Sequence, residues 1–135
     1  MTYSELIEKL ESATGPNYTL EVEIFKLINP QYADFIPGRG GLIHPQDGED
    51  VRLQSNVRPP NYTVSLDAAL NLHAKLLQGW TVANIGQDDR KGWHAELRKG
   101  YRTSYSTVSL AGAATPAIAL CLAILKAKRT DEVPA

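Results

Sequence analysis

From Leu110 to Leu125 the chain runs 16 residues without a charge, broken only by Gly112, Thr115 and Pro116. Thr115 followed by Pro116 is a strong helix start, with Thr as N-cap and Pro at the first helical position. On that helix, expected over Thr115–Lys128, Ile118, Cys121, Leu122 and Leu125 make one apolar face. Ala117, Leu120 and Ile124 make a second face that is nearly as apolar. Such a helix must be buried in the fold or lie between copies of the chain. It does not suit a membrane, which needs about 20 apolar residues. Lys126, Lys128 and Arg129 complement its negative end, and 130–135 reads as a flexible tail.

The stretch Pro59–Leu97 supplies most of what this helix packs with. Pro59 and Pro60 lead in extended, Ser65 caps a helix over Leu66–Leu77, and Asp67 sits in its positive first turn. Leu66, Ala69, Leu70, His73 and Leu77 share the face expected to be buried. Strands follow over Trp80–Gly86 and Gly92–Lys99, each opening on a Gly-Trp pair. In the second, Trp93, Ala95 and Leu97 alternate with His94, Glu96 and Arg98, the period of a sheet with one better-buried face. Gly100 turns the chain into a third strand, Tyr101–Leu110, and the short connections imply an antiparallel meander.

Toward the N-terminus, Tyr3–Ala13 reads as a helix capped by Ser4, with Leu6, Ile7 and Leu10 inward. Leu20–Ile28 is a second helix, with Leu20, Ile24, Leu27 and Ile28 on one face and Glu21, Glu23 and Lys26 toward water. Residues 29–61 show no sustained period and form a long Pro- and Gly-containing loop. One short strand is expected there, near Gly41–His44 or Val51–Leu53. The Gly-rich Pro37–Gly41 piece lacks the Lys-Ser/Thr pair of a phosphate-binding loop.

The whole chain of 135 residues, 1–135, is of single-domain size. The net charge of -1 excludes a general nucleic-acid binder. It hides an asymmetry: residues 1–50 hold nine acids and three bases, and residues 51–135 hold eleven bases and six acids. An anion-attracting second half or head-to-tail contact between copies is one reading; a solvated mixed surface is the other. The first residues lack a basic segment followed by an apolar one, so a cytoplasmic location is expected. Cys121 is the single cysteine, which leaves no intramolecular disulfide.

Pro59-Pro60-x-Tyr62-Thr63-x-Ser65-Leu66-Asp67-Ala68-Ala69, Gly79-Trp80, Trp93-x-Ala95-Glu96-Leu97 and Ala114-Thr115-Pro116-Ala117 together resemble the phage ABA sandwich domain family. The N-terminal helix, Leu6–Gly15, is of the same type. The resemblance covers most of the chain outside residues 28–58. It implies a small phage or prophage protein whose sheet is layered between helices, and it lends no catalytic residues. The extra helix at Leu72–Gln78, with Lys75, departs from the family pattern.

Catalytic and metal signatures fail in turn. His94-Ala95-Glu96 matches half of a zinc deaminase motif, but its cysteine pair is missing. His44, His73 and His94 show no ligand spacing on one element. His73 reads as a hydrogen-bonded core histidine, and Cys121 as a buried small hydrophobe. One constellation remains: Trp80, Trp93, Tyr101 and Tyr105 among Arg90, Lys91, Arg98 and Arg102. Aromatic faces stack bases and Arg grips phosphate bidentately.

The reading is therefore one α/β (α+β) domain, a three- to four-stranded antiparallel sheet between helices. The first two helices are placed on one face and the Ser65 and Thr115 helices on the other. The expected function is an accessory protein acting by contact, as a homo-oligomer through the Thr115 helix or with a host or phage protein. The alternative is a binder of a nucleotide-type anion at Trp80, Trp93, Arg98, Tyr101 and Arg102. The pattern inclines against catalysis and calls for no cofactor, no metal and no membrane.

Overall fold

The structure, a computed structural model, describes residues 2–38, 41–43, 57–77, 79–88, 92–101 and 104–132. Helix α1 spans Tyr3–Glu11 and α2 spans Tyr18–Ile28, followed by a short 3-10 turn at Pro30–Tyr32. Strands β1 (Ile36–Gly38) and β2 (Gly41–Ile43) form a small hairpin. Helix α3 (Leu66–Leu76) leads into β3 (Trp80–Asp88), β4 (Gly92–Tyr101) and β5 (Ser104–Ala113), and α4 (Pro116–Glu132) closes the order. The main sheet is an antiparallel meander, β3-β4-β5. The class is mixed α+β in one compact domain.

Helix α4 is the centre. Every residue from Ala117 to Leu125 is buried. It packs on the strands of the meander along one side and on α1 and α3 along the others. The layers therefore run sheet, α4, then α1 and α3. This corrects the placement of the first two helices on the far sheet face. The reason is the apolar circumference of α4: a helix without a polar face is satisfied only when neighbours surround it. Its surplus apolar face is used within the chain and needs no second copy. The helix continues through Glu132, past the expected end at Lys128.

The sheet's two faces follow the period-2 alternation. Leu97 and Ala95 are buried, and Trp93, Val82 and Ile85 pack against the same core. On the other face Thr81 pairs with Arg98, Asn84 with Glu96, and Gly86 with His94. Arg98 Nε meets Glu96 Oε1 at 3.3 Å there.

Several local expectations shift. Thr2, not Ser4, caps α1. Asn17 caps α2 by accepting from the Leu20 N–H at 3.1 Å, so this helix starts two residues early. Helix α3 buries Ala68, Ala69 and Leu72 and leaves Leu70 38% exposed, because its main neighbour is α4. In the long loop, β2 covers the first of the two proposed strand positions, and Leu42 bridges to Val57. Val51–Leu53 lies outside the described residues.

The charge asymmetry is partly spent inside the chain. Lys126 Nζ pairs with Glu11 Oε1 at 3.0 Å, and Arg129 Nη1 donates to Ser4 Oγ at 3.3 Å. The basic end of α4 thus lies along acidic α1.

Candidate functional site

The turn Asn61–Val64, just before α3, is held by Val64 and Ser65 N–H groups donating to the Asn61 carbonyl. It buries two consecutive side chains, Tyr62 and Thr63. Thr63 faces a polar knot. Its hydroxyl donates to Glu21 Oε2 at 2.6 Å, and its N–H donates to the same oxygen at 3.1 Å. The hydroxyl accepts from the Asn17 N–H at 2.9 Å. The Thr63 carbonyl accepts from Thr115 Oγ1 at 2.9 Å, and that oxygen in turn caps α4 by accepting from the Ile118 N–H at 3.0 Å. Every polar group of Thr63 is therefore satisfied, as a fully buried threonine requires.

This knot overturns one expectation. Glu21 does not face water; it is 6% exposed and receives the turn's donors. A carboxylate one position off the apolar face reads as solvated by helical period alone. Only its partner, 42 residues away, makes the burial tolerable. The motif Tyr62-Thr63-x-Ser65 and the distant Thr115-Pro116 thus meet at one point, where α2, α3 and α4 begin.

Tyr62 takes the other side of the turn. Its carbonyl accepts from Cys121 Sγ at 3.4 Å, and the residue lines a pocket of about 300 Å³ with Pro60, Asp67, Asn71, Leu72 and Lys75. That volume is at the lower end for small-ligand sites. Tyr62 is 3% exposed, yet its hydroxyl has no hydrogen-bond partner among the described residues. No fully buried side-chain polar atom there goes unpaired, so this oxygen keeps some contact with solvent. A larger cleft, about 750 Å³, lies along α1 and the start of α2. Its polar side chains, Glu5, Glu8, Lys9 and Thr19 among them, are exposed. It is a solvated groove without a buried polar group aimed at a ligand.

Burial pushes the Tyr62 phenol from its ordinary 10.0 up to about 12, with the nearby Cys121 adding to it. Burial likewise raises the Cys121 thiol, and Glu21 reinforces this. Cys121 is thus an inert thiol inside α4. Both groups keep their protons in the folded chain at pH values where the unfolded chain has lost them. The folded state then binds more protons, so stability falls as pH rises. We expect alkaline destabilisation between about pH 9 and 12, about 2–3 kcal/mol of it from Tyr62. Urea midpoints measured across this range should drop in wild type and drop less in Tyr62→Phe; equal slopes would refute the assignment.

Of the residues proposed around the meander, the described ones do not all share one face of the sheet. Trp80 is buried and Trp93 packs against the core, both on the face toward α4. Lys99, opposite Trp80, sets its Nζ 5.8 Å from that ring. Arg98 is on the opposite face beside Glu96. Tyr101 ends β4 opposite Ser104, while its side chain, that of Tyr105, and Arg90, Lys91 and Arg102 lie outside the described residues. A stack of both Trp rings with Arg98 on one ligand is therefore not available. His73 Nε2 lies 2.8 Å from the Trp80 carbonyl, the hydrogen bond expected for it, though the side chain is half-buried and not in the core. His94 lies over Gly86 on the outer face, and His44 is outside the described residues. No group of metal-ligating side chains forms among the described residues, and no helix there is long and apolar enough to cross a membrane.

Sequence reading missed Glu21, Asn17 and the pocket side of Tyr62. The signal for the last was present: Asp67, Asn71 and Lys75 recur every fourth residue, hence on one helix face. Comparison with family models, with curated proteins and with solved structures finds no match for this chain.

Proposed function

We propose that the protein works by binding rather than by catalysis, and that its binding element is the Tyr62 pocket. The observation that carries this is a concave, mixed polar and apolar pocket of about 300 Å³ lined by Tyr62, Asp67, Asn71, Leu72 and Lys75. A concave site with a few polar groups beside an apolar wall is where small molecules dock. The resemblance of the Tyr62-Thr63-x-Ser65 segment to the phage ABA sandwich family supports a phage or prophage accessory protein in the host cytoplasm. Small-ligand binding is favoured over the nucleotide-type site on the meander, because both Trp rings serve the core.

The test is thermal unfolding against a panel of small polar metabolites in large excess. A ligand at about 100 times its dissociation constant adds about 2.7 kcal/mol, or roughly 6–12 °C at this size. The shift should vanish in Asn71→Trp, which puts an indole into the pocket from an exposed position on α3. A flat panel would end this reading.

A second reading, contact with another protein or another copy, rests on the edges of the sheet. Strands β3 and β5 each pair only with β4 among the described residues. Long edges of this kind can accept a further strand. In this reading two β5 edges meet about a two-fold axis and continue the antiparallel order. A monomer in light scattering at high concentration, with no partner strand bound, would sink it.

A further inference from the structure

The charges of the main sheet are distributed the opposite way to those of a sheet that ends in water. Natural edge strands carry Lys, Pro or bulges that stop further pairing. Here Glu96, Arg98 and Lys99, with His94, all lie on the middle strand, β4. Strand β3 holds only Asp88, its last residue, and β5, Ser104–Ala113, holds no charge and no proline. The two edges also differ from one another. The β3 edge is closed: a bulge breaks it between Val82 and Asn84, and its first carbonyl, that of Trp80, already has His73 Nε2 at 2.8 Å. Strand β5 keeps one unbroken register with β4 from Ser104 to Leu110, and its irregularity falls beyond that run, before Ala113. Along the run, β4 is its only strand partner among the described residues.

We infer that Ser104–Leu110 is a self-pairing edge, and that its partner is the same segment of a second copy, antiparallel and centred on Thr107. The inference rests on contact through a sheet edge, the second reading, and gives that contact its edge, partner and register. Near a two-fold axis each residue meets its own copy or a close neighbour of it, so a charge there would face itself. A strand built for a foreign partner carries charges complementary to that partner; a strand that meets itself does best with none. Pairing about Thr107 sets Ser104 opposite Leu110, Tyr105 opposite Ser109 and Ser106 opposite Val108. The nearest described like charges are then those of Arg98, which stands opposite Thr107 on β4. The two Arg98 backbones lie three strand spacings apart, about 14 Å, beyond the reach of exposed charges at physiological salt. Each Arg98 also has its own Glu96 at 3.3 Å. The axis runs perpendicular to the sheet, so both α4 helices lie on one side of a six-stranded sheet, a common size.

Sedimentation of the full chain from about 10 µM to about 1 mM reads the association. The wild type should form a dimer and nothing larger, since pairing uses up both β5 edges. Thr107→Lys puts two ammonium groups opposite each other on the axis and should weaken the dimer at least about tenfold. Lysine is well tolerated on a sheet edge, and an unchanged melt of the dilute protein checks the fold. Register is read by single cysteines, with diamide as the oxidant. Directly opposed residues stand about 4.5–5.5 Å apart at Cα, within disulfide range. Thr107→Cys should therefore link to itself, while Ser104→Cys and Leu110→Cys should link to each other and neither to itself. Cys121 is buried and stays reduced. A wild-type chain that is still monomeric at about 1 mM overturns the inference together with the copy form of the second reading. A dimer that Thr107→Lys leaves intact and Thr107→Cys does not link overturns the inference alone, because the copies then meet elsewhere.

Discussion

Thr63→Val is expected to be among the most damaging single changes in this chain, lowering stability by about 3–4 kcal/mol. Valine keeps the shape and removes one oxygen. That oxygen donates to Glu21 at 2.6 Å and accepts from the Asn17 N–H at 2.9 Å. Its loss leaves a carboxylate that is 6% exposed with a single donor from the turn, the Thr63 N–H. The cost therefore comes from stranding a buried charge, not from a lost contact alone. The midpoint of thermal unfolding should fall by roughly 10–15 °C. A double variant with Glu21→Met should recover part of this, because the stranded carboxylate is then gone. If Thr63→Val loses less than about 1 kcal/mol, or the double variant is additive, the knot is not what joins the helix starts.

Gly92→Ala is expected to cost about 3 kcal/mol or more, against about 1 kcal/mol for Gly79→Ala. Both glycines sit just before a strand tryptophan and both have a positive φ, +77 at Gly92 and +91 at Gly79. The left-handed backbone alone penalises alanine at either position. They differ in what surrounds them. A Cβ on Gly92 would stand 2.6 Å from the Ala113 carbonyl oxygen, while one on Gly79 meets nothing within 4 Å. The clash is with backbone, so it can be relieved only by parting the ends of β4 and β5. Urea unfolding of the two variants measures the difference directly. Equal costs would mean that β5 yields at Ala113 and that only the dihedral matters.

The two predictions turn on different kinds of information. The Gly-Trp pairs mark strand starts in the sequence, and the structure places Trp80 and Gly92-Trp93 at the starts of β3 and β4. Nothing in the sequence says that one of the two glycines lies against a carbonyl, because that neighbour is 21 residues further along the chain. Thr115 reads as a helix cap from its Pro116 neighbour, and it is one. That the same hydroxyl also donates to Thr63 has no local signal.

By itself the sequence determined the elements and their order. Helical and strand periods are set by which side chains must leave water, and caps and turns by residues whose backbone preferences are local. The antiparallel meander, the Thr115 cap, the hydrogen bond of His73 and the burial of Cys121 all follow from such short-range causes. The tertiary structure alone decided which apolar face met which. It placed α4 between the sheet and α1 and α3, so that its whole circumference is covered within one chain. It also decided that Glu21 turns inward, that Trp80 and Arg98 part to opposite faces, and that Tyr62 faces a pocket. Each of these depends on a partner far away in sequence. A buried polar group is tolerated only where a distant donor reaches it, and a pocket exists only where two elements fail to close.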